Sequence, residues 1–291
     1  MKKAYMLAAV SILCWSTVAT TAKLLLGSIN NFQLLWMSSL FAGLFLLVVN
    51  IFTGRIKALR KYRIKDFATS LLIGLPSTFL YYVFYYAGTD VMPASQAFII
   101  NYMWPIMSVV FACIILREKL TWRKGIAIAI SFIGVAIVTS GEILAFNTTT
   151  LLGAVFCLAG AVSYGVFTAL NQKKSYDNWL TMMLCYFTTF VLTTIINGVS
   201  GNLFVPDLAQ TLGIAWNGMF TMAVANTVWV LALKAGETAK ISNLAYITPF
   251  LSIVWTFLIL GETPSIYSLV GLVVIVFGIL IQLKDKKSSV K

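Results

Sequence analysis

Aromatic rings and amides in the middle of long apolar segments are the side chains best suited to bind a small molecule. Ring faces can stack on an apolar or aromatic group and can attract an ammonium group, while amides and hydroxyls can receive polar ends. Tyr81 and Tyr85, for example, are four residues apart and share one face of a helix. The predicted binding residues are Trp15, Tyr81, Tyr85, Asn101, Tyr102, Trp104, Ser163, Tyr164, Asn226, Trp229, Asn243 and Tyr246.

Two prolines accompany these residues at matched positions. Pro105 follows Trp104 directly, and Pro249 lies three residues after Tyr246. Proline leaves a backbone carbonyl without its helical partner, so both positions are predicted as helix breaks or hinges, with tolerated kinks as the alternative. Helix packing is likewise the alternative for the rings, and interhelical hydrogen bonds are the alternative for the asparagines.

Acidic and basic groups that could do covalent chemistry are missing from the middle of the segments. The chain has no His, and its Asp and Glu residues lie near segment ends. Serine/histidine hydrolysis, HExxH metal chemistry and paired-aspartate proteolysis are therefore excluded, and no enzyme activity, metal or cofactor is predicted. A cationic substrate would lack a counter-ion and a proton would lack a carrier, so we expect a neutral or zwitterionic substrate without proton coupling.

The elements that position these residues are apolar stretches long enough to cross a bilayer as helices, which takes about 20 residues each. With 60% hydrophobic and 10% charged residues, the composition favours a membrane protein. The runs do not alternate as barrel strands do, so helices are predicted. Ten segments are predicted, at roughly 4–26, 32–53, 67–87, 92–116, 122–141, 149–171, 179–199, 209–233, 239–260 and 265–283.

The basic residues predict the orientation. All Lys and Arg except Lys23 lie at the termini or in every second gap between segments. The positive-inside rule then places both termini and the basic gaps in the cytoplasm. The net charge of +12 is assigned to this pattern and to contact with the lipid bilayer, and no nucleic acid partner is expected.

Residues near segment ends receive structural interpretations. Trp36, Trp122, Trp179 and Trp216 are interpreted as interfacial belt residues. Lys23 is expected to extend toward the lipid headgroups. The alternative is a role at the outer entrance of the cavity, where it would hold a substrate carboxylate or repel cations. Glu118 and Glu262 are expected to have a structural role at helix junctions, and Gly134 and Gly278 are expected to allow close helix packing.

The chain contains an internal repeat. Tyr102, Pro105, Ser108 and Glu118 have the same spacing as Tyr246, Pro249, Ser252 and Glu262. Each half contains five segments, so the second half is inverted in the bilayer, a plan common among secondary transporters. The fold prediction is an all-α polytopic membrane protein of ten transmembrane helices around a central cavity, with repeats at 1–141 and 142–291.

These features resemble the EamA branch of the drug/metabolite transporter superfamily. The resemblance is carried by the ten-segment plan, by Pro followed thirteen residues later by Glu in each half, and by glycines in the fifth and tenth segments. The strings Cys14-Trp15-Ser16-Thr17 and Asn101-Tyr102-Met103-Trp104-Pro105 resemble aromatic amino acid exporters in particular. The resemblance implies that segments one, three, four, six, eight and nine line the cavity. It also implies export and a bacterial plasma (inner) membrane.

The sequence thus predicts a secondary transporter that exports small neutral or zwitterionic metabolites by alternating access. Aromatic or apolar amino acids are the first expectation for the substrate. A broader exporter of neutral metabolites or amphipathic drugs is the alternative within transport, and a receptor or channel is the alternative outside it. The protein is expected to be a monomer or a weak homodimer.

Overall fold

The apolar segments form helices throughout the part of the chain that the structure describes. This structure is a computed structural model, and it describes residues 2–144, 147–173, 177–235 and 244–283. The α-helices are α1 (Lys2–Ser16), α2 (Val18–Leu26), α3 (Asn31–Phe52), α4 (Ile64–Leu75), α5 (Tyr81–Val91), α6 (Ala94–Asn101), α7 (Trp104–Ile115), α8 (Trp122–Leu144), α9 (Thr148–Lys173), α10 (Asn178–Val199), α11 (Leu208–Ala215), α12 (Ala225–Ala235), α13 (Thr248–Trp255) and α14 (Ile266–Leu283).

Several of these helices are joined end to end by short stretches of other helical geometry. A π-helical stretch at Pro76–Leu80 joins α4 to α5, one at Trp216–Val224 joins α11 to α12, and one at Thr256–Leu260 extends α13. Short 3₁₀ helices form at Arg55–Lys61 and at Ala245–Ile247. Wider π turns inside longer helices are frequent at functional sites.

Seven helical stretches of the described chain are long and apolar enough to cross a membrane. They are Lys2–Leu26, Asn31–Phe52, Ile64–Val91, Ala94–Ile115, Trp122–Thr139, Thr148–Asn171 and Asn178–Val199. Thr248–Leu260 and Ile266–Ile281 are shorter apolar helices. A multi-pass helical membrane protein follows, while the count of ten spans and their inverted arrangement stay predictions.

One boundary differs clearly from the expected one. The third predicted segment begins at Ile64 and ends at Val91, several residues beyond 67–87 on both sides. Its early start follows from a local cap, because the Asp66 carboxylate accepts a hydrogen bond of 2.8 Å from the Arg63 backbone N–H. Such caps satisfy free N–H groups of the first turn and let a helix begin among polar residues.

The helices pack in a small set of extensive pairs. α8 packs on α14, α3 on α10, α9 on both α5 and α7, and α1 on both α12 and α13. Glycine permits the closest of these contacts: a Cβ on Gly134 would lie 2.9 Å from the Gly271 carbonyl oxygen, and one on Gly278 would lie 2.9 Å from that of Ala127. Close backbone approach at small residues is typical of helix packing in membranes, and the expected packing role of Gly134 and Gly278 is confirmed.

Candidate functional site: a chamber lined by aromatic rings and amides

A chamber of about 640 Å³, partly open to solvent, lies between the helices of both halves. Its wall combines aromatic rings with a few amides and hydroxyls, which is the usual composition of a small-molecule site. The lining residues are Trp15, Val18, Ser77, Tyr81, Tyr82, Phe98, Asn101, Tyr102, Trp104, Tyr164, Met182, Tyr186, Thr221, Asn226 and Thr248.

Tyr81 and Asn101 form one polar corner of this wall. Tyr81 is the first residue of α5, directly after the π-helical stretch, and Asn101 is the last residue of α6. The Asn101 Nδ2 group donates a hydrogen bond of 2.8 Å to the Tyr81 hydroxyl. This bond fixes both side chains and leaves the buried Asn101 Oδ1 without a partner among the described residues.

Tyr102, Trp104 and Tyr164 form an aromatic corner. The Trp104 ring meets the Tyr164 ring edge to face with centroids 5.1 Å apart, and the Tyr102 ring lies 6.2 Å from that of Trp104. The Tyr81 ring also contacts Tyr164, at 5.3 Å. The Tyr102 hydroxyl donates to the carbonyl oxygen of Ala245 and so links α6 to the stretch before α13. Rings held edge to face leave other faces free for a ligand.

Asn226 and Trp229 belong to α12, and Asn226 contacts this corner through Tyr164. The Tyr164 hydroxyl donates to Asn226 Oδ1 at 3.3 Å, while Asn226 Nδ2 donates to the Met222 carbonyl at 2.6 Å. The Trp229 ring lies 5.3 Å from that of Trp15. Trp229 lines a second cavity, which shares Tyr164, Met182, Tyr186 and Asn226 with the chamber.

Not every predicted binding residue faces the chamber. Tyr85 is fully buried behind Tyr81, with its ring stacked on that of Tyr81 at 5.8 Å. Ser163 donates to the Ala159 carbonyl of its own helix at 2.9 Å and does not line either cavity. Asn243 and the side chain of Tyr246 lie outside the described residues.

Both prolines lie at the start of a helix that follows a break. α6 ends at Asn101 and α7 begins at Trp104, so Pro105 occupies the first turn of α7. Pro249 occupies the first turn of α13, directly after the 3₁₀ helix Ala245–Ile247. Proline is well tolerated there because the first N–H groups of a helix have no helical partner. The hinge role of both residues stays a prediction.

Sequence reasoning missed the contribution of α10 to the wall. Met182 and Tyr186 belong to the seventh segment, which the family resemblance does not include among the lining segments. Their four-residue spacing, with a tyrosine deep in an apolar run, is the signal that could have identified them. Thr248 was missed as well; it is buried, it lines the chamber, and its hydroxyl has no partner among the described residues.

The charged residues near the helix ends make specific contacts away from the chamber. Lys23 does not reach outward: its Nζ donates to the carbonyls of Thr89, Asp90 and Met92, at 2.7, 3.0 and 2.9 Å. A cation at the carboxyl end of a helix, here α5, complements the helix dipole. Lys23 thus caps a neighbouring helix, while its extension toward lipid headgroups stays a prediction.

Glu262 caps the next helix in the same region. Its carboxylate accepts hydrogen bonds from the Ala94 and Ser95 backbone N–H groups, at 2.9 and 3.0 Å, and from the Ser95 hydroxyl at 3.0 Å. Glu118 is exposed and bonds Lys124 Nζ at 2.8 Å. The expected role at a helix junction is observed for Glu262, which caps the amino-terminal end of α6.

Among the tryptophans interpreted as belt residues, Trp179 lies at a cavity wall. It lines the second cavity, and the Arg55 guanidinium lies over its ring, 5.4 Å from the centroid. Trp122 is 82% exposed, as a belt residue would be. No Asp, Glu, Lys or Arg is among the described residues that line either cavity.

Comparison with known proteins agrees with this architecture. An uncharacterized transporter of Clostridium kluyveri is 24% identical over 99% of this chain and 96% of its own length. A probable terminal-alkyne amino-acid exporter of Streptantibioticus cattleyicolor is 29% identical over 73% of this chain and 71% of its own. A solved crystal structure shares the fold, with a TM-score of 0.68 at 20% identity over 96% of both chains.

The family profile extends over nearly all of the sequence. The EamA-like transporter family matches residues 2–140 and 151–283. These two ranges include every described residue that lines the chamber. The chain belongs to the EamA-like transporter family.

Proposed function

We propose that the protein exports small neutral or zwitterionic metabolites, with aromatic or apolar amino acids as the preferred substrates. The observation that carries this proposal is the chamber wall, whose described residues present aromatic rings and amides and carry no formal charge. Rings accept an apolar side chain and attract an ammonium group. The free acceptors Asn101 Oδ1 and Thr248 Oγ1 suit the donors of that ammonium group.

The probable terminal-alkyne amino-acid exporter of Streptantibioticus cattleyicolor supports an amino acid as the substrate, because it is a relative over 73% of this chain. The residue types of the chamber wall support the same class. The described lining residues include no carboxylate, so they offer no counter-ion to a permanent cation, whose burial would be costly. A zwitterion carries its own counter-charge and needs only hydrogen bonds at its two ends.

Alternating access between two inverted halves is the mechanism within this proposal. The helix pairs support it. If each predicted segment is replaced by the one five positions away, the pair α1–α12 (segments one and eight) becomes α9–α5 (six and three). In the same way, α7–α9 (four and six) becomes α13–α1 (nine and one). The same shift returns α3–α10 and α8–α14 to themselves. A twofold relation between repeats at 1–141 and 142–291 would produce this set of pairs.

Counterflow tests the substrate. Purified protein in liposomes preloaded with L-tryptophan should take up radiolabelled L-tryptophan, and L-phenylalanine should compete while an unrelated neutral drug should not. Competition by chemically unrelated neutral compounds would favour the broader exporter. Absence of uptake by folded protein would contradict the amino acid assignment.

Matched tryptophan variants test the chamber. Trp104→Ala removes a ring from the aromatic corner and should reduce counterflow at least tenfold, because ring stacking and cation–π contacts with the substrate are lost together. Trp122→Ala removes a ring that is exposed and lines neither cavity, and it should transport normally. Equal counterflow in both folded variants would assign Trp104 to packing.

A further inference from the structure

A second cavity of about 680 Å³ continues from the chamber toward the helix ends where the basic gaps lie. We call it the vestibule. Four residues separate it from the chamber and belong to both walls: Tyr164, Met182, Tyr186 and Asn226. The rest of its lining is its own: Leu46, Phe167, Asn171, Asn178, Trp179, Thr181, Met222, Ala223, Thr227 and Trp229.

The vestibule repeats the chemistry of the chamber with a separate set of residues. Its rings are Phe167, Trp179 and Trp229, and its own amides are Asn171 and Asn178. Most binding sites for small molecules combine apolar and aromatic walls with a few orienting polar groups. A passage that served only for water would not need three rings on its wall.

One hydroxyl in this wall lacks a partner. Thr181 is 2% exposed, lines the vestibule, and its Oγ1 has no hydrogen-bond partner among the described residues. Thr188 on the same helix donates to the carbonyl of Leu184 at 2.9 Å, as buried threonines in helices commonly do. A buried polar group without a partner is unfavourable, so the Thr181 hydroxyl is suited to a ligand.

Both signs of charge lie next to the vestibule wall without lining it. Arg55 Nη1 and Asp177 Oδ2 are 2.9 Å apart, and the Arg55 guanidinium also lies over the ring of Trp179, which is a lining residue. The buried Arg55 Nε–H group has no partner among the described residues. Opposite charges next to an aromatic wall are compatible with a zwitterion whose side chain is apolar.

We propose that the vestibule is a second binding site, distinct from the chamber, for an α-amino acid with an apolar or aromatic side chain. The side chain packs among Phe167, Trp179 and Trp229, while the polar ends meet the Thr181 hydroxyl and the amides of Asn171 and Asn178. The site lies on the path between the chamber and the basic gaps. This inference rests on the proposed function, since it takes the same substrate class.

Binding stoichiometry tests the inference. Purified protein in detergent is titrated with radiolabelled L-tryptophan, and we expect two bound molecules per chain. Trp104→Ala should remove the chamber molecule and leave one, and Trp179→Ala should remove the vestibule molecule and leave one. A stoichiometry of one that Trp104→Ala abolishes and Trp179→Ala leaves unchanged would overturn the second site while the proposed function stands. No binding by folded wild-type protein would overturn both.

A gentler variant separates binding from folding. Thr181→Val keeps the shape of the side chain and deletes only the unpartnered hydroxyl, so the protein should fold at least as well. The vestibule affinity should fall about three- to tenfold, the effect of one hydrogen bond. Thr188→Val on the same helix is the matched control and should not change the affinity. Two results together would contradict the proposal: an unchanged affinity in Thr181→Val, and one site that remains in Trp104→Ala even when Trp179→Ala is added.

Discussion

The two ends of the helix bundle are held together in different ways. At the end remote from the basic gaps, Lys23 caps α5 and Glu262 caps the next helix, α6. Each of the two side chains makes three hydrogen bonds. At the basic end lies the vestibule, with the Arg55–Asp177 pair next to its residue Trp179. Charged helix caps therefore characterise one end of the bundle, and a cavity next to an ion pair characterises the other.

This difference indicates which contacts contribute most to the stability of each end. A charge that bonds backbone groups at a helix end satisfies several free donors or acceptors at once, whereas a half-exposed ion pair is weakened by water. Alternating access would require the capped end to open, so the Lys23 and Glu262 bonds are the ones that would have to break. The predictions below compare the two ends, beginning with the largest expected effect.

Glu262→Gln should be the most destabilising of these changes. Glutamine keeps one acceptor but places an NH₂ group against backbone donors, so the free energy of unfolding should fall by about 2 kcal/mol. Thermal unfolding in detergent measures this as a lower Tm. Glu118→Gln is the matched control at the equivalent repeat position; Glu118 is 41% exposed, and its pair with Lys124 should contribute less than about 1 kcal/mol. Equal losses in the two variants would refute the difference between the ends.

Lys23→Met should lower the free energy of unfolding by about 1–2 kcal/mol, because three carbonyl groups lose a charged donor. The same thermal assay applies, with the exposed Lys57→Met as control. Lys23 and Glu262 hold the two sides of one connection, 90–93, so the double variant with Glu262→Gln should lose less than the sum of the single losses. Strict additivity would mean that the two caps act independently.

Arg55→Gln should have a smaller effect, about 0.5–1 kcal/mol, because the side chains of Arg55 and Asp177 are 39% and 30% exposed. Salt should reduce the difference from wild type further, since exposed charges are screened. Unfolding measured at low and high ionic strength checks both points. A loss as large as that of Glu262→Gln, unchanged by salt, would show that the basic end is held as firmly as the other.

An imposed pH gradient should have the smallest effect, which is none on the direction of net flux. The described residues that line the two cavities include no Asp, Glu, Lys or Arg, and the chain contains no His. Net movement of L-tryptophan in liposomes, with and without a gradient and an ionophore, measures this. Accumulation that follows the gradient and disappears with the ionophore would establish proton coupling.

Much of the helical fold could be predicted because a bilayer imposes simple requirements on each segment. An apolar run must satisfy its own backbone hydrogen bonds, so the segments of the first seven spans coincide with helices to within a few residues. The early start at Ile64 was missed because it depends on one local bond between Asp66 and Arg63. The ninth segment is described only from Leu244 onward.

The chamber could be predicted only in part. Trp15, Tyr81, Tyr102 and Trp104 line it as their residue types suggested, while Tyr85 lies behind Tyr81. Sequence spacing tells which residues share a face of a helix, but Tyr81 and Tyr85 show that residues on one face need not reach the same cavity. Tyr186 of α10 was missed for the same reason, since its direction depends on the packing of α10 against α3.

The sequence by itself determined that the chain is a helical membrane protein with no Asp, Glu or His in the middle of its apolar segments, since the solvation of apolar and charged groups depends on residue type. It also provided the rings and amides from which a neutral site can be built. Only the tertiary structure decided which rings meet, that Glu262 and Lys23 cap helices far away in the chain, and that Trp179 lines a cavity. These outcomes depend on how helices distant in sequence rotate and pack against one another, and no local pattern specifies that.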